Sequence, residues 1–145
     1  MARCWFAPLT LEQLNTYNSA DMVSRLGLVY TGVADERLEA RFEVDERTRQ
    51  PFGLLHGGVS CVVSESMGST AANLCVDPER FFCVGIDINA SHLRGASEGA
   101  VHAYCEPVRI GRRNQVWQTD LFDSNERHLC VSRLTVAVIE RQDDK

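Results

Sequence analysis

The chain has 145 residues, 24% of them charged, with 20 Asp and Glu against 15 Lys and Arg and a formal net charge of −5 at pH 7. That length suits one domain with a real core, and the acidic balance excludes a general nucleic-acid surface, which needs an excess of basic side chains. No apolar run reaches the roughly 18 residues of a membrane span, and the opening MARCWFAPLT lacks the sustained apolar segment of a secretory signal.

These absences lead us to expect a cytoplasmic protein. The six cysteines stand singly, with no Cys-x-x-Cys and no histidine at zinc-finger spacing, so a structural metal is not expected. Without a secretory signal, buried thiols are the better reading than a disulfide framework.

Thr10-Leu11-Glu12-Gln13 reads as a capping box, in which two side chains each satisfy a free N–H at a helix start. A short helix from Leu11 follows, restarting at Ser19-Ala20-Asp21 before Gly27. Residues 27–32 read as a strand. Leu38, Ala40, Phe42 and Val44 alternate with charged residues as a half-buried strand does, and the two strands pair across Ala34-Asp35-Glu36.

The stretch 50–76, QPFGLLHGGVSCVVSESMGSTAANLCV, holds one committed charge, Glu65, and one other side chain that titrates near neutrality, His56. From Gly57 onward, small residues alternate with Val59, Val62, Val63, Met67 and Leu74, the pattern of a helix buried on most sides. Gly57-Gly58 suits the entry to that helix, where free N–H groups and the positive end of the dipole collect. A carboxylate within it is costly to bury without a partner or a purpose. Eight residues separate Gly57 from Glu65, about 12 Å along a helix. That is too far for both to act on one small group from one copy. Two antiparallel copies of the helix, each lending one half, remove the difficulty, so the spacing predicts a dimer.

Asp77-Pro78 ends the helix, because proline restricts the residue before it away from helical angles. Beyond it Val84, Ile86, Ile88 and Ala90 alternate with Gly85, Asp87, Asn89 and Ser91, and 95–99 is a turn. A strand starts at Val101, where Pro107 marks an edge, an end or a bulge. Ile110-Gly111-Arg112-Arg113 turns into a strand over 116–122, and Asp123-Ser124-Asn125 turns into a last one over 128–140. The expected fold is a single α+β domain spanning 1–145: a short helix, two strands, one long helix, then an antiparallel meander, with one sheet wrapped on one helix.

The opening Gln-Pro-Phe-Gly-Leu-Leu-His-Gly-Gly, the Glu-Ser-x-Gly-Ser that begins at Glu65, VGIDINASHLR at 84–94 and NQVWQTDLFD at 114–123 together resemble the hotdog-fold acyl-CoA thioesterases. The likeness runs from about Thr10 to Glu140. It is closest to the branch holding the glutamate-type 4-hydroxybenzoyl-CoA thioesterases, the 1,4-dihydroxy-2-naphthoyl-CoA thioesterases and the thioesterase that proofreads enterobactin assembly. His-Gly-Gly alone is unspecific; Gln50, His56, Gly57 and Glu65 at this spacing, followed by Asn89 and His92, are specific together.

The resemblance implies that Glu65 is the catalytic carboxylate, and a desolvated carboxylate gains the basicity and nucleophilicity that thioester hydrolysis needs. A glutamate in a helix is otherwise an exposed charge or half of an ion pair. The Gly57 amide would polarise the thioester carbonyl, assisted by Gln50. His56 would orient Gln50 or its loop, against the simpler reading of a core histidine satisfied by a backbone carbonyl. Ser69 shares a helix face with Glu65 and would hold the water or the carboxylate, although mid-helix serines more often bond their own helix.

Coenzyme A carries phosphates that call for local positive charge. The resemblance sets its nucleotide end against two regions, one of Gly85, His92, Leu93, Arg94 and Gly95 and the other of Arg109, Ile110, Gly111, Arg112, Arg113 and Asn114. Taken singly, arginines at a β-turn are ordinary solvated surface.

The implied protein is a homo-oligomer, dimeric with shared active sites and extending to a tetramer. It would hydrolyse an acyl-CoA with an aromatic or short to medium acyl group, using no metal or redox cofactor and engaging neither nucleic acid nor membrane. Two rivals stay open: a hotdog hydratase or dehydratase of acyl thioesters, and a non-catalytic acyl-CoA binding module.

Overall fold

Thr10 and Gln13 form the expected capping box: the Gln13 N–H donates to Thr10 Oγ1 at 3.2 Å, and the Thr10 N–H donates to Gln13 Oε1 at 2.9 Å. They open α1 (Leu11–Tyr17). Asp21 caps the short α2 (Met22–Arg25). Gly27, at φ +84°, ends α2 with paired bonds from Gly27 N–H to the Ser24 carbonyl and from Leu28 N–H to the Val23 carbonyl. That is why the first strand starts at Val29 and not at the expected Gly27. This computed structural model describes residues 4–142; residues 1–3 and 143–145, the ends of the expected domain and the first residues of the opening segment, lie outside the described residues.

The remaining elements are β1 (Val29–Val33), β2 (Leu38–Glu43), α3 (Gly57–Leu74), β3 (Phe81–His92), β4 (Ala100–Ile110), β5 (Asn114–Asp123) and β6 (His128–Glu140). They build one six-stranded antiparallel sheet in the order β1-β2-β4-β5-β6-β3, wrapped on α3. This is the hotdog architecture.

The meander holds for β4, β5 and β6 but not for β3. That strand leaves the far end of α3 and pairs with β6, because β2 already occupies the free side of β4. Pro107 lies where its missing N–H costs nothing. The β2 ladder stops at Cys105, and the β4–β5 ladder has a bulge between Pro107 and Arg109.

One face of α3 is fully buried, through Ser60, Val63, Ser64, Met67, Gly68, Ala71 and Ala72. Gly68 lets the sheet close on the helix, since a Cβ there would meet Leu134 Cδ2 at 2.8 Å. The opposite half, which includes Val59, Val62, Glu65, Ser69 and Asn73, is only half-buried. So the helix expected to be enclosed on most sides is, in one chain, enclosed on one.

β3 departs from its expected alternation. A bulge between Gly85 and Asp87 shifts its phase, so Cys83 and Gly85 share the inner face with Ile88 and Ala90, while Val84 and Ile86 stand 39% and 63% exposed.

The N-terminal segment is pinned by Trp5. Its ring stacks on Trp117 at 6.1 Å, and its Nε1 donates to the Ala34 carbonyl at 2.7 Å. All six cysteines are free. Burial pushes the Cys105 thiol up to about 12, which makes it a core side chain and no nucleophile. No helix among the described residues is long and apolar enough to cross a membrane.

Candidate active site

His56 ends the loop before α3 as its N-cap, and its Nδ1 accepts the Gly58 N–H at 2.8 Å. It is exposed, and among the described residues its ring bonds no backbone carbonyl, so the core-histidine reading does not apply. The Val59 N–H donates to the His56 carbonyl at 2.9 Å. With Gly58 and Val59 satisfied, the Gly57 N–H is left with no acceptor among the described residues. The imidazole of His92, at the end of β3, lies where a Gly57 side chain would be: a Cβ there would sit 2.9 Å from His92 Nε2. A larger residue at this helix start would have to push the His92 ring aside.

The loop bearing Gln50 is held beside that entry. An isolated bridge joins Arg49 to Leu55, the Gln50 N–H donates to the Leu54 carbonyl at 2.8 Å, and Gly53 turns the chain at φ +81°. The Gln50 side-chain oxygen accepts the Phe52 N–H, so in this chain Gln50 is held by its own loop and not by His56. Phe52 stands 89% exposed. Gly95 packs against this loop, where a Cβ would meet Leu54 Cδ1 at 3.2 Å.

Glu65 sits two turns into α3, half-buried, with no hydrogen-bond donor and no cation paired to its carboxylate among the described residues. Desolvation by burial raises its pKa above the ordinary carboxylate value. The carboxylate rests against Gly85 of β3, and a Cβ on Gly85 would overlap its Oε1. Gly85, expected on the ligand side, is therefore the residue that gives the carboxylate room.

Asn73, two turns further along, fixes that contact. Its Oδ1 accepts the Cys83 N–H at 2.8 Å and its Nδ2 donates to the Cys83 carbonyl at 3.1 Å, clamping β3 to α3 two residues from Gly85. Sequence reading missed Asn73. Its place eight residues after Glu65, close to the same helix face, was the available signal.

Ser69 lies one turn from Glu65 and, with Thr70, Asn73, Phe6, Tyr17 and Phe81, borders a cavity of about 520 Å³ between α1, the N-terminal segment and α3. Among the described residues no cluster of His, Cys, Asp and Glu has the makings of a metal site.

The two basic regions are not brought together within one chain. Arg109, Ile110, Gly111, Arg112, Arg113 and Asn114 form the β4–β5 turn, tied by the Gly111 N–H to the Asn114 carbonyl at 2.9 Å, and none of its three arginines pairs with a carboxylate among the described residues. A Gly111 Cβ would lie 2.6 Å from the Asn114 carbonyl oxygen, so this turn requires glycine. Asn114 stands in register with Ala137, and Ala137 with Val84. His92 stands in register with Cys130, and Leu93 and Arg94 both donate to the Leu129 carbonyl. From Val84 to His92 is eight residues of strand, about 26 Å.

The sequence profile of the Thioesterase superfamily matches residues 52–130. The 1,4-dihydroxy-2-naphthoyl-CoA hydrolase of Escherichia coli is 47% identical over 135 residues, 93% of this chain and 98% of the relative. The proofreading thioesterase EntH of Cronobacter sakazakii is 44% identical over the same shares of the two chains. Among solved structures, thioesterase HI1161 of Haemophilus influenzae superposes with a TM-score of 0.92 at 43% identity, covering 98% of this chain and 99% of that one.

Proposed function

The chain belongs to the Thioesterase superfamily, and from that premise we infer that it is an acyl-CoA thioesterase whose reaction centre joins Glu65 of one copy to Gly57 of another. The observation that carries the site is the Glu65 carboxylate, without a partner among the described residues and resting against Gly85 on the open half of α3. A group kept unpaired and partly desolvated is costly unless it reacts.

The thioester carbonyl oxygen takes the free Gly57 N–H, with Gln50 beside it, as negative charge develops there. One such donor is worth about 3 kcal/mol in the transition state. Glu65 then has two routes. As a base it removes a proton from water as the water oxygen bonds to the carbonyl carbon. As a nucleophile it forms the bond itself, giving an anhydride that water opens. Either way the C–S bond breaks, the electron pair leaves on sulfur, and the proton ends on the CoA thiol. In this reading Ser69, one turn on from Glu65, holds the water, and His56 caps the Gly58 N–H and so steadies the helix start that presents the Gly57 N–H.

A second copy is required because Gly57 and Glu65 lie about 12 Å apart on one helix. The same reading makes the acyl group aromatic or of short to medium length, in keeping with the Escherichia coli relative. It makes the whole chain one thioesterase unit, the assembly a dimer extended to a tetramer, and the compartment the cytoplasm. A hydratase or a silent binding module has no matching observation here.

The test is thiol release from acyl-CoA. Glu65→Gln keeps the shape and removes the base or nucleophile, and turnover falls at least about a hundredfold with folding intact. Retained turnover in the folded variant refutes the assignment.

A further inference from the structure

The cavity that starts at Ser69 has an apolar floor, from Leu9, Leu14, Leu74 and Phe81, and a polar side toward Thr70 and Asn73. From Glu65 to Leu74 is nine residues of α3, about 13 Å, enough for an extended medium-chain acyl group or fused rings lying along the helix. Its volume of about 520 Å³ falls within the usual range of small-molecule sites, where a few placed polar groups set specificity.

Among the described residues one charged side chain borders this cavity, Arg141 just beyond β6. Its Nε donates to the Pro78 carbonyl at 2.8 Å and its guanidinium lies 5.2 Å from the Phe82 ring centroid, which fixes the plane of the group. Neighbouring Arg80 is compensated by Glu140 at 3.7 Å. Arg141 has no carboxylate partner among the described residues, and none of them takes a hydrogen bond from its terminal nitrogens. A planar cation at the border of an apolar cavity binds best a ligand with an apolar body and an oxygen anion or acceptor at its tip.

We propose that Arg141 is a specificity-determining residue that selects acyl groups carrying a carboxylate or comparable oxygen at the end remote from the thioester, a proposal that rests on the thioesterase reading above. Sequence gave no hint of it, because an arginine after the last strand is ordinary surface until the fold brings it to the cavity.

The test compares the CoA monothioester of octanedioic acid with octanoyl-CoA, which share chain length and differ in the terminal carboxylate. The wild type favours the first in kcat/KM. Arg141→Ala lowers kcat/KM for the carboxylate substrate by about tenfold and leaves octanoyl-CoA within about threefold. Arg141→Glu, which adds repulsion, reverses the preference. Thermal unfolding of each variant checks the fold. Equal losses on both substrates, or no preference in the wild type, overturn the role of Arg141 while leaving the thioesterase reading standing. No thiol release from either substrate by the wild type overturns that reading and this proposal with it.

Discussion

Gly85→Ala tests the placement of Glu65 separately from its presence. An added Cβ would overlap Glu65 Oε1, while lying 3.4 Å from Glu65 Cδ and 3.6 Å from Leu134 Cδ1. The latter two are ordinary contacts; the first is not, so something has to move. The carboxylate is the tip of a flexible side chain facing a half-open groove, and it yields before the backbone does. Gly85 is not among the positive-φ residues, so alanine meets no conformational strain there and relieves a strand of glycine's entropic cost, about 0.5–1 kcal/mol. A displacement of about 1 Å at a reacting group costs on the order of a hundredfold in rate, close to 2.7 kcal/mol of barrier. The expected outcome is a loss of about two decades in kcat with the unfolding midpoint within about 5 °C of wild type. Steady-state thiol release and a thermal melt measure the two. Full turnover in a stable variant refutes the idea that the position against Gly85 is the reactive one. A collapse in stability shows that the backbone, not the carboxylate, gave way.

Two further outcomes follow from the same carboxylate. Burial raises the Glu65 pKa above its ordinary value, so stability tied to this group is present below the unfolded-state pKa and lost as pH rises through the folded-state pKa; Glu65→Gln melts higher than wild type at neutral pH and the gap closes in acid, as melts across that range will show. Mixing Glu65→Gln with Gln50→Ala protein, both inactive, gives heterodimers in which one site inherits both lesions and the other neither. A co-refolded mixture then regains up to about a quarter of wild-type activity, and no recovery where heterodimers demonstrably form rules out the shared site.

The long helix, the capping box and the later strands were legible because each depends on local periodicity or on a cap within four residues. The placement of β3 was not. Its run from Val84 to Ala90 alternates without a break, and only pairing with β6 shows the bulge after Gly85 that turns Val84 and Ile86 outward. Glu65 and Gly57 stood out because charge and glycine are unusual where they occur. Asn73 did not, since a polar residue near a helix end is ordinary until Cys83, ten residues on, arrives to be clamped. His56 stood out as a candidate, but its capping of Gly58 depends on ring geometry that sequence does not carry.

The two edges of the sheet differ in a way that bears on the second copy. β1 is five residues long and bulged between Tyr30 and Gly32, the usual protection of a free edge. β3 is twelve residues long, carries exposed Val84 and Ile86, and pairs with no strand on its outer side among the described residues. An edge of that kind is a liability unless it is covered. If two β3 edges pair antiparallel about Asn89, with the bulged Ile86 left out of the ladder count, His92 of one copy comes opposite Gly85 of the other. Gly57 follows His92, and Glu65 follows Gly85, so the two halves of the proposed reaction centre meet. The same axis sets Arg94 of one copy opposite Cys83 of the other, one ladder step from the Val84–Ala137–Asn114 register that carries the arginine turn. A separation of about 12 Å on the helix and one of about 26 Å on the strand would then be closed by a single twofold, and neither basic region would need to reach the other within its own chain.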